Sequence, residues 1–255
     1  MKCIYPDNIL SISATEENSN YPVSNLLDEH PKKVWKGTSR DATVEAVVSG
    51  GSALAIIYTN AVSINLILSS GQTINWDSGI DWMGGVAWDQ SGNNDYSETK
   101  LLTGNTDGCA WFDFAERNSS FSVIIELTAE AGEIIQAGIL RCGICNSFEN
   151  PSYGLREKLK DYSIVKELNN GAIYVRKKEV VRVFSGRILE DRDSDFYTFL
   201  LKVARNVGPQ PLAWLVVSNG GSRWIIYGGF SANMPEGHHD QPAHSWINFH
   251  LVEVV

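Results

Sequence analysis

The sequence predicts a mainly β protein with one amphipathic helix, and three observations carry that prediction. Short runs of alternating apolar and polar residues recur along the chain, and most close on Gly, Ser or Asn. One stretch alone, residues 187–207, has helical periodicity, with Phe196, Phe199, Leu200, Val203 and Val207 at the spacing that lines one helix face. No internal repeat or low-complexity tract interrupts this pattern.

The helix prediction comes with end signals. Asp193 or Ser194 can cap its start, and the acidic run Glu190, Asp191, Asp193 and Asp195 suits the positive end of the macrodipole. Lys202 and Arg205 sit toward the negative end, and Gly208-Pro209 stops the helix. Such a helix is expected to cover one face of a sheet.

Composition excludes several function classes. At 255 residues the chain can bury roughly 70–75% of its extended surface and support a real core. A net charge of −9 argues against sequence-independent nucleic-acid binding and against anionic membranes, both of which need clustered Lys and Arg. No apolar run reaches the roughly 20 residues of a membrane-spanning helix, and the N-terminus has no apolar signal region. The four cysteines are therefore expected as free thiols of a protein made in a reducing cytoplasm. Eight tryptophans are many for this length; packing is the common reason, and stacking on sugars or partners is the other.

In chain order, residues 9–15 read as a first strand. Alternation then marks Val44, Ala46 and Val48, next Leu54, Ile56 and Tyr58, and next Ile64, Leu66 and Leu68. Between residues 74 and 110 periodicity fails, and Trp76, Trp82, Trp88 and Trp111 stand among Asp, Asn, Ser and Gly. That length suits an irregular excursion or a functional loop. Strands return over residues 121–127 and 134–140. After a connection at residues 148–154, strands are expected at 163–167, 172–176 and 179–188. Beyond the helix they are expected at 212–217, 224–228 and 244–255. The last of these is apolar on both faces, with Ile247, Phe249 and Leu251 alternating with Trp246 and Val252. Such a strand is either central in a sheet or covered by a neighbour.

Pro22, Asn25, Leu26, Leu27, Asp28 and Trp35 stand in a particular order: a small residue and Pro, then Asn-Leu-Leu, an acidic turn and a strand Trp. This resembles the opening of discoidin-like, galactose-binding-like jelly rolls. A second set comprises Gly138, Gly143, Asn150, Pro151, Tyr153, Gly154, Asp161, Ser163, Gly171, Arg182, Trp214, Tyr227, Gly228 and Glu253. It is similar to tail and baseplate proteins of tailed bacteriophages, of the distal-tail kind, over residues 134–255. The departures are the crowding of Arg176, Lys177 and Lys178, and a His-rich loop near the end.

The two resemblances together imply a jelly-roll β-sandwich over residues 1–148 and a smaller α+β tail-assembly unit over 149–255. They imply a structural virion component located in the tail, partnered by other tail proteins and by copies of itself in a ring. The sandwich half would contact host surface glycan. Neither nucleic acid nor membrane insertion is expected, and no cofactor.

Each candidate chemical site has a plainer reading beside it. Trp76, Asp81, Trp82, Trp88 and Asp89 combine stacking rings with hydroxyl-accepting carboxylates in the long loop, which suits sugar binding. The same carboxylates support the alternative of a carbohydrate-active hydrolase, because glycosidases need a pair flanking the scissile bond. The plainer reading is solvated carboxylates and rings that pin the loop. His238, His239, Asp240 and His244 offer three imidazoles and a carboxylate to a transition metal, against solvated residues of an exposed loop. Cys142 and Cys145 have C-x-x-C spacing, but Cys3 and Cys109 provide no second ligand pair and the context is not a thioredoxin βαβ unit. Packed thiols are the plainer reading. No dinucleotide, phosphate-loop or nucleophile-elbow motif is present, and no catalytic residue is assigned.

Overall fold

The computed structural model describes residues 1–69, 94–102, 108–151, 154–167, 173–191, 203–218, 221–230, 235–238 and 244–255. The chain forms two compact units that interleave in sequence. One comprises Pro6–Leu27 and Val34–Ile144; the other comprises Met1–Tyr5, Asp28–Lys33 and Cys145–Val255.

After β1 (Lys2–Asp7), the first unit is built from β2 (Ile9–Ala14), β3 (Trp35–Lys36), β4 (Asp41–Val48), β5 (Gly51–Ile57) and β6 (Ala61–Ser69). It continues through β7 (Asn94–Leu101), β8 (Ala110–Arg117), β9 (Phe121–Ala129), β10 (Gln136–Ala137) and β11 (Ile139–Ser147). A five-stranded antiparallel sheet runs β2-β4-β9-β6-β7, and β5 pairs with both β8 and β11. The alternation read in the sequence sets which face turns inward. Val44, Val48, Ile64, Leu66, Leu68, Val123, Ile125 and Leu127 are buried and share one core with Leu54, Ile56, Phe112 and Leu140 of the second sheet. Burying each such side chain stabilises the sandwich by about 1.5–3 kcal/mol before conformational entropy is counted. The mainly β fold with a sandwich in the N-terminal half is as expected from the sequence.

The jelly-roll opening motif has a mechanical job here. Val23–Leu27 forms a 3-10 turn with Leu26 buried. The Asn25 side-chain amide donates to the Val34 carbonyl at 2.9 Å, and Trp35 is fully buried against the sandwich. Asp28 accepts from the His30 amide at 2.9 Å and from Lys33 Nζ at 2.7 Å, which is the acidic turn of the motif. Its hydrogen bond to Lys33 comes first in holding the Asp28 carboxyl below its usual range.

The second unit contains β12 (Arg156–Asp161), β13 (Ile164–Glu167), β14 (Ile173–Arg176), β15 (Val180–Asp191), β16 (Leu212–Leu215), β17 (Ile225–Phe230), β18 (Glu236–His238) and β19 (His244–Glu253). Sheet order is β12-β15-β19-β17-β16-β1, with β18 also on β19, while β13 and β14 form a separate two-stranded sheet. Its core centres on Trp214, which is fully buried, packs edge-on to Phe230 at 5.4 Å and stacks near Phe148 at 6.4 Å. The indole N–H donates to the Gly228 carbonyl at 3.0 Å, so the ring is buried with its polar edge satisfied. The Met1 ammonium donates to the Phe148 carbonyl at 2.9 Å, to Asn150 Oδ1 at 3.0 Å and to Ser218 Oγ at 2.9 Å.

Two expectations are corrected. Residues 187–191 belong to β15 and not to a helix, because β15 pairs with β19 from Val183↔Val252 to Asp191↔His244. A ladder of that length outweighs the weak local preference read from the acidic run. Residues 203–207 are helical, with Val203, Ala204 and Val207 buried; residues 192–202 lie outside the described residues. Gly208, at φ 61°, closes the turn through its amide to the Ala204 carbonyl at 2.9 Å, as expected of a left-handed C-terminal glycine.

The second correction concerns β7, β8 and β12, which the periodicity did not show. β7, β8 and β12 all lie at sheet edges, where pairing on one side holds a strand with little demand on its side-chain pattern. The last strand takes one of the two placements its apolar faces allow: β19 is central, between β15 and β17, with Ile247, Phe249 and Leu251 buried.

Candidate functional site

The sandwich has two ends of different character. At one end, β5 turns into β6 through Tyr58, the described non-glycine residue with left-handed backbone (φ 63°). Thr59 Oγ1 donates to the Gln136 carbonyl at 2.7 Å and accepts from the Ala61 amide at 3.1 Å. Asn60 Nδ2 donates to the Ile134 carbonyl at 2.9 Å, and its Oδ1 accepts from the Gln136 amide at 2.8 Å. These loops hydrogen-bond to one another, so this end is tied shut.

At the opposite end several strand termini converge. Ser69 of β6 pairs with Asn94 of β7 and Ser122 of β9. Val48 of β4 pairs with Phe121, and Gly51 of β5 pairs with Arg117 of β8. The connections here are Ser49-Gly50, Asn118-Ser119-Ser120 and residues 70–93. Asn8 Nδ2 donates to the Gly50 carbonyl at 2.7 Å, and the Ser49 amide donates to Asn8 O at 3.0 Å. The Arg117 guanidinium lies 5.3 Å above the Phe121 ring, and Phe114 meets that ring edge-on at 5.8 Å. Asn118, Ser119 and Ser120 are exposed. This end therefore has a polar, hydroxyl- and amide-bearing rim over an aromatic base, which suits hydrogen bonding to a polar ligand more than enclosure of one.

The described gap inside the sandwich is too small to enclose a sugar. The gap lined by Leu26, Val44, Ile56, Ile125, Leu127 and Leu140 measures ≈ 10 Å³ and is wholly apolar. That is about the volume of one water-sized probe, far below a sugar ring.

Trp76, Asp81, Trp82, Trp88 and Asp89 all fall in residues 70–93, outside the described residues. The described strand ends show where that segment leaves and re-enters: adjacent paired strands at the polar end. His239 and Asp240 are likewise outside the described residues. The backbones of His238 and His244 lie in β18 and β19, which pair with His238 opposite Trp246. Among the described residues no group of three or more His, Cys, Asp or Glu is placed to hold a metal ion.

The C-x-x-C pair is built for packing. Cys142 is fully buried while Cys145 is half-buried. The glycine between them is required, because a Cβ at Gly143 would lie 2.0 Å from the Pro6 carbonyl oxygen. Burial first, and the neighbouring Asp7 carboxylate second, push the Cys142 thiol far above its ordinary range. Burial likewise raises Cys3, with Cys145 adding to it and the Met1 ammonium opposing it. Thiolate is the reactive form, so burial holds both thiols in their less reactive, protonated state. With a thiol-specific alkylating reagent on native protein, Cys145 is expected to label first. Labelling of Cys142 at an equal rate, followed by mass spectrometry of the peptides, overturns that reading.

Sequence reasoning missed the ion pair closest to this region. Arg141, 8% exposed, donates to the Leu140 carbonyl at 2.8 Å and the Leu26 carbonyl at 3.2 Å, with its Nε 3.5 Å from Asp7 Oδ2. Burial raises the Asp7 carboxyl, and the Arg141 charge opposes that rise. A charged residue in an otherwise apolar strand was the available signal.

No family model matches the sequence, and no curated protein matches it significantly. Solved structures align with about half of the chain at low identity. A reduced XRCC1 structure bound to the DNA polymerase β catalytic domain has TM-score 0.36 and 12% identity, over 54% of this chain and 97% of that one. The chitosan-binding module 1 of a chitosanase/glucanase from Paenibacillus sp. IK-5 has TM-score 0.34 and 11% identity, over 53% and 97%. The family 32 carbohydrate-binding module of C. perfringens NanJ, in complex with galactose, has TM-score 0.35 and 12% identity, over 57% and 100%.

Proposed function

We propose that the protein is a structural component of a bacteriophage tail or baseplate whose sandwich presents a carbohydrate-binding loop to the host surface. The observation that carries the binding half of this reading is topological. The chain's Trp- and Asp-rich segment is spliced between two adjacent strands at the polar end of a rigid sandwich, the arrangement in which loops hold function on a scaffold. Trp76, Trp82 and Trp88 would supply stacking faces, and Asp81 and Asp89 would accept sugar hydroxyls. The tail half rests on the resemblance over residues 134–255. Residues 149–255 would serve assembly with other tail proteins and with copies of the chain, in the virion. No described helix is long and apolar enough to cross a membrane.

The alternative, a hydrolase using Asp81 and Asp89, calls for turnover of the same polysaccharide. The experiment uses purified chain and host surface polysaccharide in calorimetry, with reducing-end release measured in parallel. Trp82→Ala and Trp88→Ala are expected to weaken binding by about 1–3 kcal/mol each, the scale of losing a buried aromatic contact, with the melting temperature unchanged. A lowered melting temperature with no measurable binding by the wild type makes the rings core residues and ends the proposal. Release of reducing ends shifts the assignment to the hydrolase. Detection of the chain in purified virions by mass spectrometry tests the tail assignment separately.

A further inference from the structure

The second unit leaves an apolar surface uncovered. Of the thirteen large hydrophobic residues exposed among the described residues, seven lie between Leu159 and Val180. Leu159 is 69% exposed on the edge strand β12, and Val165, Ile173 and Val175 are 66%, 69% and 58% exposed on the β13–β14 hairpin. The hairpin register places Val165 opposite Val175 and Glu167 opposite Ile173, which puts these apolar side chains on one face. The other face carries Ile164 and Tyr174 beside Lys166 and Arg176. A free two-stranded hairpin is at best marginally stable in water, and among the described residues this one has no third strand. Exposed apolar patches of this kind mark interaction surfaces.

Charge indicates what covers it. Residues 156–180 contain seven of the chain's 21 Lys and Arg and four acids, a net charge of +3. The rest of the chain therefore carries −12 of the total −9. Burial first, and then the charges of Lys158 and Lys160, push the His250 imidazole of β19 below its ordinary range. A basic, apolar projection on an otherwise acidic chain is complementary to the remainder of that same chain.

We propose that β12 and the β13–β14 hairpin form an arm that packs on a second copy of this protein. The arm's apolar face supplies the buried area, and Lys166, Arg176, Lys177 and Lys178 steer it onto the acidic surface of the neighbour. This deepens the assembly half of the proposed function and names its contact surface.

Sedimentation velocity of the full chain over a micromolar concentration series tests it. The wild type is expected to self-associate, more weakly at high salt because surface charge is screened. Val165→Thr, Ile173→Thr and Val175→Thr together keep strand propensity but strip the apolar face, and should raise the dissociation constant by about tenfold or more. Arg176→Glu with Lys177→Glu and Lys178→Glu should weaken association at low salt and erase its salt dependence. All six positions are exposed, so circular dichroism and the melting temperature should match wild type. A wild type that stays monomeric across the series overturns the arm, even if another tail protein binds it. So does a triple Thr variant that associates like wild type. Glycan binding is read in a separate assay, so its failure leaves the arm standing and the arm's failure leaves it intact.

Discussion

Arg182→Ala should cost the second unit about 3–5 kcal/mol, the penalty for leaving one member of a buried ion pair unpartnered. Glu253 is 6% exposed. Arg182 Nη2 donates to Glu253 Oε1 at 2.7 Å, and Arg182 Nε lies 3.1 Å from both carboxylate oxygens. The same guanidinium donates to the Arg223 carbonyl at 2.9 Å and the Ile225 carbonyl at 3.2 Å. One side chain on β15 therefore ties together β19, β17 and the turn before β17. Removing it strips these charge-assisted bonds from a buried carboxylate that also accepts from the Arg182 backbone amide at 3.0 Å. Calorimetry should show the transition of this unit falling by on the order of 10 °C. Arg182→Met with Glu253→Gln should recover most of the loss, since no buried charge is then left alone. A drop of less than about 1 kcal/mol for the single variant would mean that water reaches the site.

Gly108→Ala should cost the sandwich about 3 kcal/mol, through two additive penalties. Its φ of 57° lies in the left-handed region, which an L-residue enters at about 1–2 kcal/mol. A Cβ there would also sit 2.0 Å from the Thr59 carbonyl oxygen, and relieving such an overlap costs typically 1–3 kcal/mol. The displaced backbone is the one that pairs the Thr59 amide with Gly108 O at 2.9 Å. Gly132→Ala is the internal control. Its φ is 92°, but nothing lies within 4 Å of the added carbon, so the conformational term alone remains, about 1–2 kcal/mol. Chemical denaturation of both variants separates the terms. Equal losses would show that the Thr59 loop yields.

Legibility in the sequence followed burial. Where a strand turns one face to the core, as in β4, β6 and β9, alternation was visible and the inward residues were identified correctly. The Asn25 and Trp35 motif was legible too, because a side-chain tie and a buried ring demand particular residue types. β7 and β12 were not, since edge strands need backbone pairing and impose little pattern on their side chains. Residues 187–191 were misread because an acidic run resembles a helix start, while the deciding partner, β19, lies about fifty residues further on. The candidate binding loop was legible as composition only; its Trp and Asp residues lie outside the described residues. The arm was half legible. The crowding of Arg176, Lys177 and Lys178 stood out, but exposure of the valines beside it depends on which strands lack a neighbour.

The splice between β6 and β7 has a consequence for how this protein can change. Ser69 and Asn94 are direct ladder partners, so the two ends of the intervening 24 residues (70–93) are held side by side whatever those residues are. Closing a loop of that length, instead of a four-residue turn, costs only about 1.5 kcal/mol in chain entropy. The sandwich can therefore accept a different cassette at this point, longer or shorter, with its core untouched. Whatever this segment contacts could then change by exchange of one peptide, without a compensating change in the strands that hold its ends.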